Sequence, residues 1–285
     1  MALDLPALHA RLRAAAPLIQ NITNTVVQQF SANVLLAVGA APAMLDHEAD
    51  AGQFARLADG ILINLGTATS HQLLAADAAV RVARQLGKPW VLDPVSVGVI
   101  DFRTTRIQQA AECHPNVIRG NASEIAALAG QGAGGRGVDA TDEVDAVLVA
   151  AMSLAQSTGA VVAVSGARDA IVEVSGSTVR LARVGGGHPL MPRVIGTGCS
   201  LGSLTAAYLA AQRAADGTRL TSDFEATIAA HAHFKLAGEA AGKIAAGPAS
   251  FAVGFVDALY ALQSTDLTQA DVHLEIREMP ETCGL

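Results

Sequence analysis

Residues 60–93 read GILINLGTATSHQLLAADAAVRVARQLGKPWVLD, and this stretch decides the fold. Gly60-Ile-Leu-Ile-Asn64 and Pro89-Trp-Val-Leu-Asp93 are short runs with apolar residues at consecutive positions, so each strand must be covered on both faces. Between them, Ser70 to Leu86 reads as a helix. Gly87 closes it as the C′ residue, and Pro89 follows where a helix can no longer continue. Strand, helix and strand, with both strands buried on two faces, make a βαβ unit of a parallel sheet.

The pattern extends outward. Asn116-Val-Ile-Arg119 and Ala160-Val-Val-Ala-Val-Ser165 read as further buried strands, and Asp101 to Cys113 as another helix. The expected architecture is an α/β sandwich of three layers around a mostly parallel central sheet. Ile171 to Leu181 alternates in its arms and has Ser175-Gly-Ser-Thr at its centre, which predicts an antiparallel hairpin. From Gly198 to about Leu262 the chain reads as almost wholly helical, with a break at Gly247-Pro248. No Pro/Ser-rich linker or shift of composition divides it, so residues 1–285 are expected to form one domain. Gly130 to Gly137 is the one low-complexity patch and reads as a mobile surface loop.

Composition narrows the function. Of 285 residues, 51% are hydrophobic and 16% charged, against about 25% charged in an average globular protein. Such a chain buries a large core, and it is expected to bury surface against copies of itself. Its 19 basic and 26 acidic residues leave a net charge of −7 with no basic run, and aromatics are only 4%. Neither phosphate tracking nor base stacking along a nucleic acid fits that balance. Cys113, Cys199 and Cys283 are odd in number and widely spaced, which excludes a disulfide framework and a structural zinc site and fits a reducing cytosol. The first residues, Met-Ala-Leu-Asp-Leu-Pro, lack the basic start and apolar region of a signal peptide. Val194 to Gln212 is uncharged, but glycine, serine and threonine crowd it, so it reads as a buried helix rather than a membrane span. A cytoplasmic protein is expected.

Several motifs carry no chemistry. Gly238-x-x-x-Gly242-Lys243-Ile244 is one residue short of a P-loop and ends without the hydroxyl that binds Mg²⁺. His231 and His233, two apart on a helix, point to different faces and read as structural. Cys113 reads as a small buried hydrophobe.

Other segments do point to chemistry. In Val194-Ile-Gly-Thr-Gly-Cys-Ser-Leu-Gly202, Gly196 and Gly198 let backbone amides approach a ligand, and the following helix N-terminus favours an anion. The same small residues would also serve tight helix–sheet packing. A helix dipole there is expected to lower the pKa of the Cys199 thiol. Asp93 ends a buried strand just before Pro94, at the sheet edge where α/β proteins bind ligands. Asn121-x-x-Glu124 follows another strand, with Arg119 and Gly120 just before; it reads either as a capping box or as part of a site. Two carboxylates, an arginine and an anion hole at strand ends are the parts that phosphoryl transfer requires.

The combination Pro17-x-x-x-Asn21-Ile-Thr-Asn24, Ala32-Asn33-x-x-Leu36-Ala-x-Gly39-Ala-x-Pro42-x-Met44, Leu92-Asp-Pro-Val95, Arg119-Gly-Asn-x-x-Glu124 and Gly196-Thr-Gly-Cys199 resembles the hydroxyethylthiazole kinases of thiamine salvage. The resemblance implies a ribokinase-like fold without a lid, and ATP-dependent phosphorylation of the primary alcohol of 4-methyl-5-(2-hydroxyethyl)thiazole. It implies that Met44 and Gly196 bind the thiazole, that Arg119 and Ser165 bind ATP, that Asp93 and Glu124 support Mg²⁺, and that Cys199 is catalytic, beside the attacking hydroxyl. It also implies a homotrimer with sites between subunits. Ile195 departs from the threonine that many ribokinase-like enzymes carry at that position. Two alternatives remain on the same fold: a kinase for a pyrimidine or pyridoxal substrate, and an ATP-dependent dehydratase of nicotinamide hydrates, in which an Asp is expected in place of Cys199.

Overall fold

The computed structural model describes residues 3–131, 142–214 and 216–279. Cys283 and the Gly132–Gly137 part of the expected glycine-rich loop lie outside these residues. Nine strands of the described residues join one sheet: β1 (Leu18–Ile22), β2 (Ala41–Ala43), β3 (Gly60–Asn64), β4 (Trp90–Asp93), β5 (Val117–Asn121), β6 (Val161–Ser165), β7 (Asp169–Ser175), β8 (Thr178–Val184) and β9 (Val272–Glu278). Their order across the sheet is β2-β1-β3-β4-β5-β6-β7-β8-β9. Strands β1 to β6 pair in parallel, and β7, β8 and β9 continue the sheet antiparallel. All nine belong to this sheet, so none is set aside as a lid.

Helices α1 (Leu5–Ala15), α2 (Gln28–Ala37), α3 (Ala51–Leu57), α4 (Ser70–Leu86), α5 (Asp101–Ala111), α6 (Ala122–Leu128), α7 (Asp142–Ala146) and α8 (Leu148–Thr158) alternate with the strands. After β8 come α9 (Thr197–Ala211), α10 (Asp223–Gly242) and α11 (Pro248–Ala261). The period of two along a strand sorts side chains between two layers. Ile61, Ile63, Trp90 and Leu92 pack with Leu73, Val80 and Ala83 of α4. Leu62, Val91, Val117 and Ala163 pack on the opposite face with Leu204 of α9 and Ile228 of α10. Each fully buried Leu, Ile or Val contributes about 1.5–3 kcal/mol, so consecutive apolar residues on a strand anchor helices on both sides.

Helix α4 spans the residues expected of it. Thr69 and Gln72 form its capping box, and Gly87 closes it at φ 65°. The hairpin is present as β7 and β8, turning at Gly176. Two readings need correction. The helical C-terminal third is interrupted at residues 212–222, and it ends in a strand, β9, that returns to the sheet beside β8. The signal was present: Val272, Leu274 and Ile276 alternate with His273, Glu275 and Arg277. Among the described residues no helix is long and apolar enough to cross a membrane. His231 and His233 do point apart, the first to Asp169 and the second to the Tyr208 hydroxyl.

Candidate active site

The side chains that end the parallel strands all face α9, because each lies two residues beyond a core residue on that face. Asn64 follows Leu62, Asp93 follows Val91, Arg119 follows Val117, and Ser165 follows Ala163. Register brings them side by side: Asn64 stands opposite Asp93, and Asn121 opposite Ser165. Small residues let the N-terminal turns of α9 close over this row. A Cβ on Gly202 would stand 2.9 Å from Leu62 Cδ1 and 3.4 Å from Asp93 Oδ2. Gly196 caps α9 at φ 96°, and a Cβ there would also come within 2.9 Å of the Phe30 ring. Glycine is required on both counts.

With no side chain capping α9, the amides of Thr197, Gly198 and Cys199 face outward without intrahelical acceptors. Arg119 lies below them and is 7% exposed. Its Nε and Nη2 donate to the Ser165 hydroxyl at 3.1 and 2.7 Å, and its Nη1 stands 3.5 Å from Asp93 Oδ2. The arrangement concentrates positive potential where an anion can enter.

Asp93 is fully buried, and neither carboxylate oxygen has a hydrogen-bond partner among the described residues. Burial lifts its pKa to about 7, Arg119 opposes the shift, and Glu124 adds to it. A buried carboxylate that faces Arg119 at 3.5 Å and has no close hydrogen bond on either oxygen keeps lone pairs for a hard cation. Glu124 is held nearby and is already engaged. Its Oε2 accepts the Asn121 amide at 2.9 Å, closing a reciprocal capping box, and its Oε1 accepts the Ser96 amide at 3.2 Å. Ser96 presents that amide from a left-handed conformation at φ 64°, a strained geometry of the kind held at functional sites. Glu124 is therefore a cap and a candidate ligand together, through its remaining lone pairs. Among the described residues no three His, Cys, Asp or Glu side chains cluster as a metal cage. Asp93 and Glu124 thus fit a cation whose other ligands are water and phosphate oxygens, the usual habit of Mg²⁺.

Cys199 sits at the third position of α9 and accepts a hydrogen bond from Asn24 Nδ2 at 3.2 Å. The expected lowering of its pKa is not found. Burial, and then the Asp93 charge, push the thiol up to about 11, outweighing Asn24, Asn64 and Arg119. Asn24 and Asn64 carry no role in the sequence reading, although each was in view: Asn24 within the quoted motif, Asn64 at the end of a buried strand. Asn24 Nδ2 also reaches Asn64 Oδ1 at 3.3 Å, and Asn24 Oδ1 and Asn64 Nδ2 remain buried without partners.

Met44 does not join this row. It lies just beyond the edge strand β2, which β1 separates from β3, and it is half-buried. Ile195 is 68% exposed immediately before Gly196.

Residues 9–265 match the model of the hydroxyethylthiazole kinase family. The hydroxyethylthiazole kinase of Corynebacterium glutamicum (strain R) is 53% identical over 249 residues, which cover 87% of this chain and 90% of that one. The solved structure of the hydroxyethylthiazole kinase protein from Pyrococcus horikoshii OT3 superposes with a TM-score of 0.81 at 34% identity, covering 97% of this chain and 99% of that chain. A ribokinase-like superfamily protein from Enterococcus faecalis V583 shares the fold alone, at 14% identity and a TM-score of 0.62 over 94% of this chain and 95% of its own. With a ribokinase-like sheet, an arginine and two carboxylates at its strand ends, and this degree of identity to kinases over most of its length, the chain belongs to the hydroxyethylthiazole kinase family.

Proposed function

We propose that the chain transfers the γ-phosphoryl group of ATP to the primary hydroxyl of 4-methyl-5-(2-hydroxyethyl)thiazole, with Mg²⁺, so that the product feeds thiamine phosphate synthesis in the cytoplasm. The observation that carries the reading is the juxtaposition, over one row of strand ends, of the open α9 amides, the buried Arg119 and the fully buried Asp93 carboxylate beside it. Arg119 and Ser165 bind the nucleotide phosphates. Asp93 and Glu124 hold the cation, which when bound neutralises charge on the phosphate oxygens. Cys199 and Asn24 orient the attacking hydroxyl, while Gly196 and Met44 line the thiazole pocket. Transfer is direct, because a phosphoryl group moving through a loose transition state needs positioning and charge stabilisation more than a strong base.

The test is a panel incubation with ATP and Mg²⁺ that offers hydroxyethylthiazole, a hydroxymethylpyrimidine and pyridoxal together, with products separated by mass. The thiazole phosphate is expected to dominate. Preferential phosphorylation of either other alcohol would assign the chain to a different substrate.

A thiol at about 11 is neither a base nor a nucleophile at neutral pH. Because Cys199 orients the hydroxyl rather than acting as a base, Cys199→Ala is expected to lower kcat on the order of 10- to 100-fold, the scale of a misplaced reacting group, and Cys199→Asp should stay active. A covalent role predicts instead that both variants are dead and that a phosphorylated Cys199 peptide can be trapped.

We also read the whole chain as one kinase domain and its assembly as a homotrimer with shared sites. Val26, Leu36 and Ile195, 61%, 60% and 68% exposed, leave apolar side chains on the surface. Met44 at the sheet edge is then available to a neighbouring subunit. Light scattering at micromolar concentration should return three subunit masses; one subunit mass would refute the assembly.

A further inference from the structure

Immediately after Ser165, residues 166–168 turn the chain from β6 into β7, which begins at Asp169. Asp169 is buried beneath that turn. Its Oδ1 accepts the Gly166 amide at 2.9 Å and lies 3.0 Å from Lys235 Nζ, and its Oδ2 meets His231 Nδ1 at 2.8 Å. Lys235 also donates to the carbonyls of Gly166 at 2.7 Å and Ala167 at 3.2 Å. An ammonium has three donors, and all three are committed here. Lys235 therefore has no donor left for a phosphate, although it lies one short turn from the hydroxyl that receives Arg119.

The bonds it does make set the direction of the backbone. In a trans peptide the C=O and the next N–H point opposite ways, and the described residues contain no cis bond. With the Gly166 and Ala167 carbonyls turned onto Lys235, the Ala167 and Arg168 amides must face away from it. Neither has an acceptor among the described residues. Two adjacent amides that face the same way and lack acceptors offer paired donors to an anion. A buried ion cluster adds little stability over apolar packing of the same size, so stability alone does not account for this one. Burial would raise Asp169, yet Lys235, His231 and the Gly166 amide hold it at about 2, so the carboxylate stays charged across the working range.

We propose that Lys235, gripped by Asp169, which His231 holds from its other oxygen, is a positioning residue for the nucleotide: it turns the Ala167 and Arg168 amides toward the ATP phosphates without touching them. The inference rests on the reading that Arg119 and Ser165 bind ATP.

Calorimetric titration with a β,γ-methylene ATP analogue, and separately with hydroxyethylthiazole, tests it on the wild type, Lys235→Met, Lys235→Arg and Asp169→Asn. Lys235→Met should weaken the ATP analogue on the order of tenfold, the scale of charge-assisted hydrogen bonds, and leave the thiazole Kd unchanged. Lys235→Arg, still a cation facing the same carbonyls, should recover part of the loss. If Lys235→Met does not fold, Asp169→Asn must show the same selective loss. Unchanged ATP affinity, or parallel weakening of both ligands, overturns the proposal. A wild type that binds no ATP analogue removes the nucleotide assignment itself. A wild type that binds it and phosphorylates the thiazole, beside an unaffected Lys235→Met, removes only this inference.

Discussion

Arg119→Ala is expected to lower kcat/KM by roughly 30- to 1000-fold, the 2–4 kcal/mol that follows from loss of a preorganised donor. Arg119→Lys should not restore it. The guanidinium spans two partners, with Nε and Nη2 on Ser165 and Nη1 toward Asp93, and a single ammonium cannot hold that geometry. From the sequence, Arg119 serves the site rather than the core, and its removal should change thermal stability little. The structure changes that expectation, because Arg119 is the cation facing a fully buried carboxylate. Its loss pushes Asp93 further up, so the destabilisation should be concentrated above pH 7, where the native state must carry that charge. Thermal melts at pH 5 and pH 8 read this directly. Wild-type kinetics in Arg119→Ala would remove the phosphate assignment.

The second large effect is at Asp93. Asp93→Asn keeps the shape and removes the anionic oxygens that we assign to the cation, so turnover should fall by about 10²–10³-fold. The same change should flatten the dependence of stability on pH. Burial raises Asp93 from the ordinary carboxylate range to about 7. Between pH 4 and 7 the native protein therefore holds a proton that the unfolded chain has released, and stability falls as pH rises through that window. Asparagine has no such proton. The metal-free wild type should lose more stability between pH 5 and pH 8 than Asp93→Asn does. Equal slopes would mean that Asp93 titrates normally, and near-wild-type turnover would deny it a place at the reaction centre.

Much of this architecture could be read before any coordinates, because consecutive apolar residues leave few options. The strand Gly60-Ile-Leu-Ile-Asn64, the helix Ser70–Leu86 and the strand ending at Asp93 lie where periodicity and capping put them. β1 and β2 were harder to see, since Gln20 and Asn21 occupy buried positions in β1 and β2 is three residues long. β9 was overlooked, although Val272, Leu274 and Ile276 alternate with polar residues, because it follows a long helical run as a mostly exposed edge strand. Within the site, Asp93, Arg119, Glu124, Ser165, Gly196 and Cys199 were all identifiable as residues at strand ends or at a helix start. Their mutual relations were not. That Asn24 bonds Cys199 links residues 175 apart in sequence. The raised thiol pKa comes from burial and the Asp93 charge, both products of tertiary packing rather than of the local helix end. Glu124 shows the limit of motif reading: its side chain is both the cap of α6 and a candidate ligand, and the same spacing serves both.

We propose that metal-dependent phosphoryl transfer from ATP to the thiazole alcohol takes place at the α9 N-terminus. Mass analysis of the products formed from ATP and hydroxyethylthiazole, with Mg²⁺ and with excess chelator, tests it most directly. Thiazole phosphate and ADP are expected in equal amounts with Mg²⁺, and neither with chelator. Full turnover in chelator, or ADP formed without thiazole phosphate, would contradict it.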